Sequence, residues 1–236
     1  MIHRLPLTTL PCLLLGLAAC STSGRHEPDG AAVAPGAETI AAPAPTRAEL
    51  LLAEGDRLQE QGRCRDALQH YGMAALEPGP ARGHALASIH LCHWQLQRPR
   101  AGEDSFALWL QHELDQGRLP LRLLFQPGET RYLADARISA PYGAWLRRIA
   151  QAMQSSPQCL TLAGHAGPSA VEQHAADLPL RRAQAVQRQL ETLAPALKGR
   201  IRSRAALPAG EPLVGSASDD LRDALDRRVE FAIGPC

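Results

Sequence analysis

Aromatic side chains are scarce: tryptophan, tyrosine and phenylalanine together make up 4% of the 236 residues. Stacking platforms for bases or sugar rings are therefore few. A dominant charge is missing too, because 25 Lys and Arg offset 24 Asp and Glu, leaving a formal net charge of +1. No long Lys/Arg run supplies the footprint that a phosphate backbone requires, so a nucleic-acid partner is not expected. No apolar run reaches the about 20 residues of a membrane-spanning helix. Ser155 and Ser156 lie in no Gly-x-Ser-x-Gly elbow, and no phosphate-binding glycine loop occurs. Neither an enzyme nor a bound cofactor is expected.

What is present begins with Met1-Ile2-His3-Arg4 and a short apolar stretch from Leu5 to Ala19, interrupted by Pro6, Thr8, Thr9 and Pro11. A charged start followed by a short apolar segment reads as an export signal, removed before folding. Its end, Leu17-Ala18-Ala19-Cys20, resembles the lipobox of bacterial lipoproteins. That resemblance implies cleavage before Cys20, lipidation of its thiol with acyl chains such as palmitate, and anchoring to a membrane facing the periplasm. Ser21 stands where an aspartate would favour inner-membrane retention, so the outer membrane is expected. Residues 21–46, rich in Ala, Pro, Gly and Ser, read as a tether. About 26 residues span roughly 30 Å as a flexible coil and roughly 80 Å drawn toward polyproline II.

Six cysteines are present; Cys12 leaves with the signal and Cys20 is taken by lipid. Cys64, Cys92, Cys159 and Cys236 remain, and in an oxidising periplasm they suggest two disulfides, with three pairings open to them.

From Ala48 the apolar spacing is helical. Leu51, Leu52, Gly55 and Leu58, then Gly62, then Ala67, Leu68, Tyr71 and Ala74 predict two helices joined by a turn. Gly55 and Ala67 let the pair approach closely while Tyr71 fills the gap beside them. The register of Gly55, Gly62, Ala67, Tyr71 and Ala74 resembles a tetratricopeptide repeat, with Pro78 one position early for its closing proline. Ala81–Gln97 and Arg100–Gln116 predict two more helices that match the repeat loosely. So short a stack should lean on the next domain or be stapled. In such a stack Cys64 opens the second helix and Cys92 lies late in the third beside it, within reach of a disulfide; two buried thiols are the alternative. Closing a loop of about 28 residues would contribute roughly 3 kcal/mol.

After Gly117 the alternation changes. Strand Leu119–Phe125, helix Pro141–Gln154, strand Cys159–His165, helix Leu178–Leu193, strand Arg200–Ala206, a short helix over Asp219–Leu225 and strand Val229–Ile233 are expected. This is an α+β order of β-α-β-α-β-β type: helices over one face of a mixed four-stranded sheet, preceded by antiparallel helical hairpins. The expected division is 1–19 signal, 20–46 lipidated cysteine and tether, 47–117 helical domain and 118–236 the α+β domain.

Three blocks in this last segment carry a further resemblance: Leu160-Thr161-Leu162-Ala163-Gly164-His165; Leu178, Arg181-Arg182-Ala183, Val186 and Leu190; and Asp226-Arg227-Arg228-Val229-Glu230-Phe231. In order and spacing they resemble the OmpA C-terminal domain family, which includes the peptidoglycan-associated lipoprotein. The resemblance implies non-covalent binding of peptidoglycan through meso-diaminopimelate in its stem peptide. An arginine fork would take the carboxylate and an aspartate the ammonium. Arg182 and Arg227 stand at the family's arginine positions. An arginine at the N-terminal end of a helix opposes the local dipole, which independently points to an anionic partner. The loop departs from the family, however. The aspartate position falls on Gly167, its neighbouring threonine on Ala166, the loop asparagine on Ala175 and the helix-start serine on Pro179. Glu172 or Asp177 could reach in from a rearranged loop, with Asp177 equally suited to cap the helix at Leu178. Losing one charge-assisted contact costs about 1.5–3 kcal/mol. The resemblance further implies that the last strand runs antiparallel beside the second, placing Cys159 next to Cys236.

His90, Cys92 and His93 are metal-ligand types at helical spacing, but no second ligand pair accompanies them, so no metal is expected. His165 is expected to be hydrogen-bonded at a strand end. Two functions follow. One is an outer-membrane lipoprotein that anchors the membrane to peptidoglycan and recruits an envelope protein through its helices. The other is a scaffold or assembly factor of an envelope-spanning secretion or motility machine whose degenerate domain no longer binds diaminopimelate.

Overall fold

A computed structural model describes residues 44–206 and 212–236. The signal segment, Cys20, most of the tether and part of the Pro/Gly loop after residue 206 lie outside the described residues. Four helices come first: α1 (Arg47–Glu60), α2 (Cys64–Leu76), α3 (Ala81–Gln95) and α4 (Pro99–Asp115). A capping box starts α1, with Thr46 Oγ1 accepting from Glu49 N at 3.2 Å and the Glu49 carboxylate accepting from Thr46 N at 2.7 Å. Gly62, at φ 74°, ends it by letting Arg63 N reach back to Leu58 O at 2.9 Å. A Cβ on Gly55 would lie 2.5 Å from the Tyr71 ring, so this glycine is what allows α1 and α2 to close on that side chain. Tyr71 is fully buried, and its hydroxyl reaches Asp56 and Gln59. Cys64 and Cys92 are bonded, with Cα atoms 5.2 Å apart, tying α2 to α3.

The second half runs β1 (Arg122–Leu124), α5 (Ala136–Ser139), α6 (Tyr142–Ser155), β2 (Cys159–Gly164), α7 (Ala170–Gln173), α8 (Leu178–Leu193), β3 (Ile201–Ala205) and β4 (Arg228–Gly234). The sheet order is β1-β4-β2-β3, with β2 and β3 parallel and the other pairs antiparallel. Cys159 pairs with Gly234 in this register, and the Cys159–Cys236 bond closes beside it with Cα atoms 4.9 Å apart. The first strand is shorter than expected. Pro120 has no N–H to give a ladder, and pairing begins at Arg122. The expected helix before the last strand is a 3₁₀ turn over Arg222–Leu225, and the four-residue α5 and α7 are too short to leave a period in the sequence.

Leu123, Leu160, Leu162, Ile201, Val229 and Phe231 point to one face, where they pack with Ile149 and Met153 of α6 and with Val186 and Leu190 of α8. That core is continuous with Leu86, Phe106, Trp109 and Leu110 of the helical segment, so α3 and α4 do lean on the α+β half. The seam is polar at one point. His90 accepts from Trp145 Nε1 at its Nε2 (2.6 Å) and donates from Nδ1 to Gly102 O (2.7 Å), joining α3, α4 and α6 through one buried ring. Among the described residues no helix is long and apolar enough to cross a membrane.

Candidate functional site

The residues expected to bind a ligand converge where β2 ends and α8 begins. Gly164 closes β2 against the first turn of α8 so tightly that a Cβ would lie 1.7 Å from Pro179 O. This contact, and not any unusual backbone angle, is why the strand ends in glycine. It brings Arg182 beneath the loop that follows His165.

Arg182 is fully buried, and the chain itself satisfies its guanidinium. Nη1 donates to Glu172 Oε2 (2.5 Å) and His165 O (3.0 Å), and Nη2 donates to Glu172 Oε1 (2.8 Å) and Gln126 O (2.9 Å). Nε donates to Glu129 O at 2.8 Å. These bonds occupy all five N–H donors of an arginine. The guanidinium carbon also lies 5.5 Å from the centre of the Phe125 ring.

Glu172 is equally enclosed. Both side chains of the pair have no exposed surface, and the carboxylate accepts further bonds from Gly128 N at 2.6 Å and Gly167 N at 3.2 Å. Burial by itself pushes the Glu172 carboxyl up. The bonds from Arg182, Gly128 and Gly167 outweigh it, so the group is held below the usual carboxylate range and stays ionised. Glu172 is thus the residue of the rearranged loop that reaches in, and it faces the arginine instead of leaving a carboxylate for an incoming ammonium. A Cβ on Gly167 would lie 3.7 Å from Glu172 Cγ and 3.6 Å from Asp226 Cβ. These are ordinary van der Waals distances, so a side chain at 167 would start in contact with both Glu172 and Asp226.

Arg227 is buried as well, donating to Phe125 O (3.3 Å), Asp219 Oδ1 (3.2 Å) and Asp220 O (3.2 Å). It fastens the loop before β4 and does not point into a cleft with Arg182. Asp177 precedes α8 but makes no side-chain cap; it pairs with Arg181 at 3.2 Å. Pro179 at the second helical position lacks one of the N–H groups a cap would bond. The His165 side chain also departs from expectation. Its buried Nε2 finds no hydrogen bond and stands 3.4 Å from Glu230 Oε2, while its main chain bonds Arg228 O and Arg182. Burial and then the Arg228 charge hold His165 below the ordinary histidine range, against the opposing pull of Glu230. His90 has both ring nitrogens engaged and Cys92 lies in a disulfide, while the buried Nδ1 of His93 has no hydrogen-bond partner among the described residues.

Sequence reasoning missed two buried carboxylates. Asp223 accepts from Ser216, Ser218 and Asp219, and Asp226 accepts from Val214 N and Gly215 N. The Ser- and Asp-rich run over 216–223 is the signal that could have found the first, since these residues build turns by bonding nearby main chain. Beside the pair lies a cleft of about 420 Å³, lined by His165, Gly167, Pro168, Glu172, Ala175 and Pro212 among others.

Fold and site together define an α+β domain whose expected ligand-binding arginine is closed by its own glutamate. No family model and no curated protein matches the chain. Among solved structures, it is similar to the peptidoglycan-associated lipoprotein from Burkholderia pseudomallei, at 20% identity over 48% of this chain and 89% of that one, with a TM-score of 0.40. It is also similar to the periplasmic domain of Helicobacter pylori MotB, at 17% identity over 50% and 72% of the two chains, TM-score 0.37. A MotB-like protein from Desulfovibrio vulgaris gives 16% identity over 64% and 99%, TM-score 0.35.

Proposed function

We propose that this chain is an outer-membrane lipoprotein that serves as a scaffold in the periplasm, with an OmpA-like domain that docks protein and does not grip diaminopimelate. One observation carries this reading: the Arg182 guanidinium, the group that would take the ligand carboxylate, already holds one from Glu172 and has no donor left. An incoming carboxylate would have to displace a buried, doubly bonded partner. An incoming ammonium would meet no free carboxylate at Gly167. The lipobox at Leu17–Cys20 and the tether support attachment to the membrane, and the tetratricopeptide-like spacing of residues 48–78 supports protein binding by the helices. The domain is read as a binding module with no catalytic role.

Sedimentation with purified sacculi tests the reading. The wild-type chain is expected to stay in the supernatant at low salt. Pelleting that free diaminopimelate competes away would overturn the proposal and restore the cell-wall anchor.

A further inference from the structure

The sheet has a margin that no strand covers among the described residues. β3 bonds to β2 alone. Leu160 N donates to Arg200 O, and Ala206 N donates to Gly164 O, so the even-numbered residues of this segment turn their main chain toward β2. In a parallel ladder the alternate residues face the other way, which leaves the N–H and C=O groups of Ile201, Ser203 and Ala205 along the free edge.

The side chains at this edge are not neutral. Arg202 and Arg204 are exposed and stand on the sheet face opposite α6 and α8. Arg200, by contrast, is directed onto the carbonyls of Ser156 and Gln158. Arg202 reaches the Cys236 main-chain oxygen at 2.6 Å with one nitrogen. Arg204 has no hydrogen-bond or ion-pair partner through its side chain among the described residues. In its register row, Arg204 faces Ala163, then Glu230, then Arg122. Glu230 is the carboxylate of this strand face, and Arg122 and Arg228 already engage it at 3.2 and 2.7 Å. The face therefore carries cationic groups in excess, concentrated at an edge with open main-chain bonds.

We propose that β3 accepts an extended acidic segment of a partner protein as a fifth strand. Main-chain bonds to Ile201, Ser203 and Ala205 would supply affinity, and carboxylates at alternate positions would meet Arg202 and Arg204. The inference rests on the scaffold reading and names the partner's chemistry. A second copy of the chain is a poor occupant, because edge-to-edge pairing sets arginine against arginine. The same residues that repel a like edge select an acidic one.

The test titrates the full chain with two labelled peptides, one alternating Glu and Val and the other alternating Lys and Val. The acidic peptide is expected to bind saturably, more weakly as salt rises, and to slow hydrogen exchange at the amides of Ile201, Ser203 and Ala205. The basic peptide is expected to bind roughly 10- to 30-fold more weakly. Replacing Arg202→Glu together with Arg204→Glu should invert that preference, an outcome that loss of folding cannot produce. Equal binding of the two peptides, no saturable binding, or unchanged exchange at the three amides would overturn the inference. Such a failure leaves the scaffold reading standing, whereas sacculus binding overturns that reading without touching the peptide result.

Discussion

Replacing Glu172 with alanine is expected to lower the free energy of unfolding by about 3–5 kcal/mol, the range for leaving one member of a buried ion pair without its partner. Exchanging a whole buried pair for apolar side chains is often nearly neutral, and on that ground alone Arg182→Met combined with Glu172→Leu would rescue. Here it should not. Arg182 also bonds the carbonyls of Gln126, Glu129 and His165, and Glu172 bonds the amides of Gly128 and Gly167. An apolar pair would leave five half-buried main-chain groups without their partners. Urea denaturation of both single variants and the double variant gives the comparison. A double variant as stable as wild type would show that these main-chain bonds contribute little. A Glu172→Ala chain within about 1 kcal/mol of wild type would show that the pair is not sealed from water.

Acid should loosen the seam between the helical segment and the sheet before most carboxylates titrate. Burial, reinforced by the nearby His93 charge and only partly opposed by the Gly102 carbonyl, pushes His90 down to about 4. Its Nε2 must stay unprotonated to accept the Trp145 N–H. The folded value lies below the unfolded one of about 6.5, so the stabilisation is complete above pH 6.5 and disappears as the pH falls toward 4. Over that window His90 alone withdraws about 3 kcal/mol, because the unfolded chain takes up a proton that the folded chain refuses. His93 and His165 shift in the same direction, each chiefly through burial, and add to the slope. Thermal unfolding between pH 7 and 4.5 measures the sum. His90→Asn isolates one share: the variant starts less stable but should lose about one proton's worth of pH dependence. An unchanged slope would mean that the ring is wet in solution.

Much of the architecture was legible because periodicity and punctuation agreed. The Gly55 and Tyr71 pairing, the start of α8 at Leu178 and the closing strand through Val229 and Phe231 all fell where spacing put them. The Cys64–Cys92 bond did as well, and the Cys159–Cys236 bond is the pairing that the family resemblance implied. The errors are local and physical. Pro120 shortened the first strand, Pro179 weakened the cap that Asp177 would have made, and short α7 left no period by which to orient Glu172. The site was half legible. An arginine opposed to a helix dipole does imply an anion, and Arg182 has one. What linear spacing could not convey is that the anion belongs to the same chain, because Glu172 reaches the guanidinium through a three-dimensional turn of the loop. For Arg227 likewise, motif position identifies a guanidinium but not the carbonyls that surround it.

The two cystine bridges also set how far this molecule could stretch under load. The bonds enclose sequence separations of 28 and 77 residues. At about 3.5 Å per extended residue they keep roughly 100 Å and 270 Å of chain from ever paying out. A pull entering at residue 44 and leaving at Cys236 would therefore cross both bonds and bypass the chain they enclose. Even if helices or strands gave way under that load, the two enclosed stretches would remain locked, and among the described residues the extension would come from 44–63 and 93–158 alone.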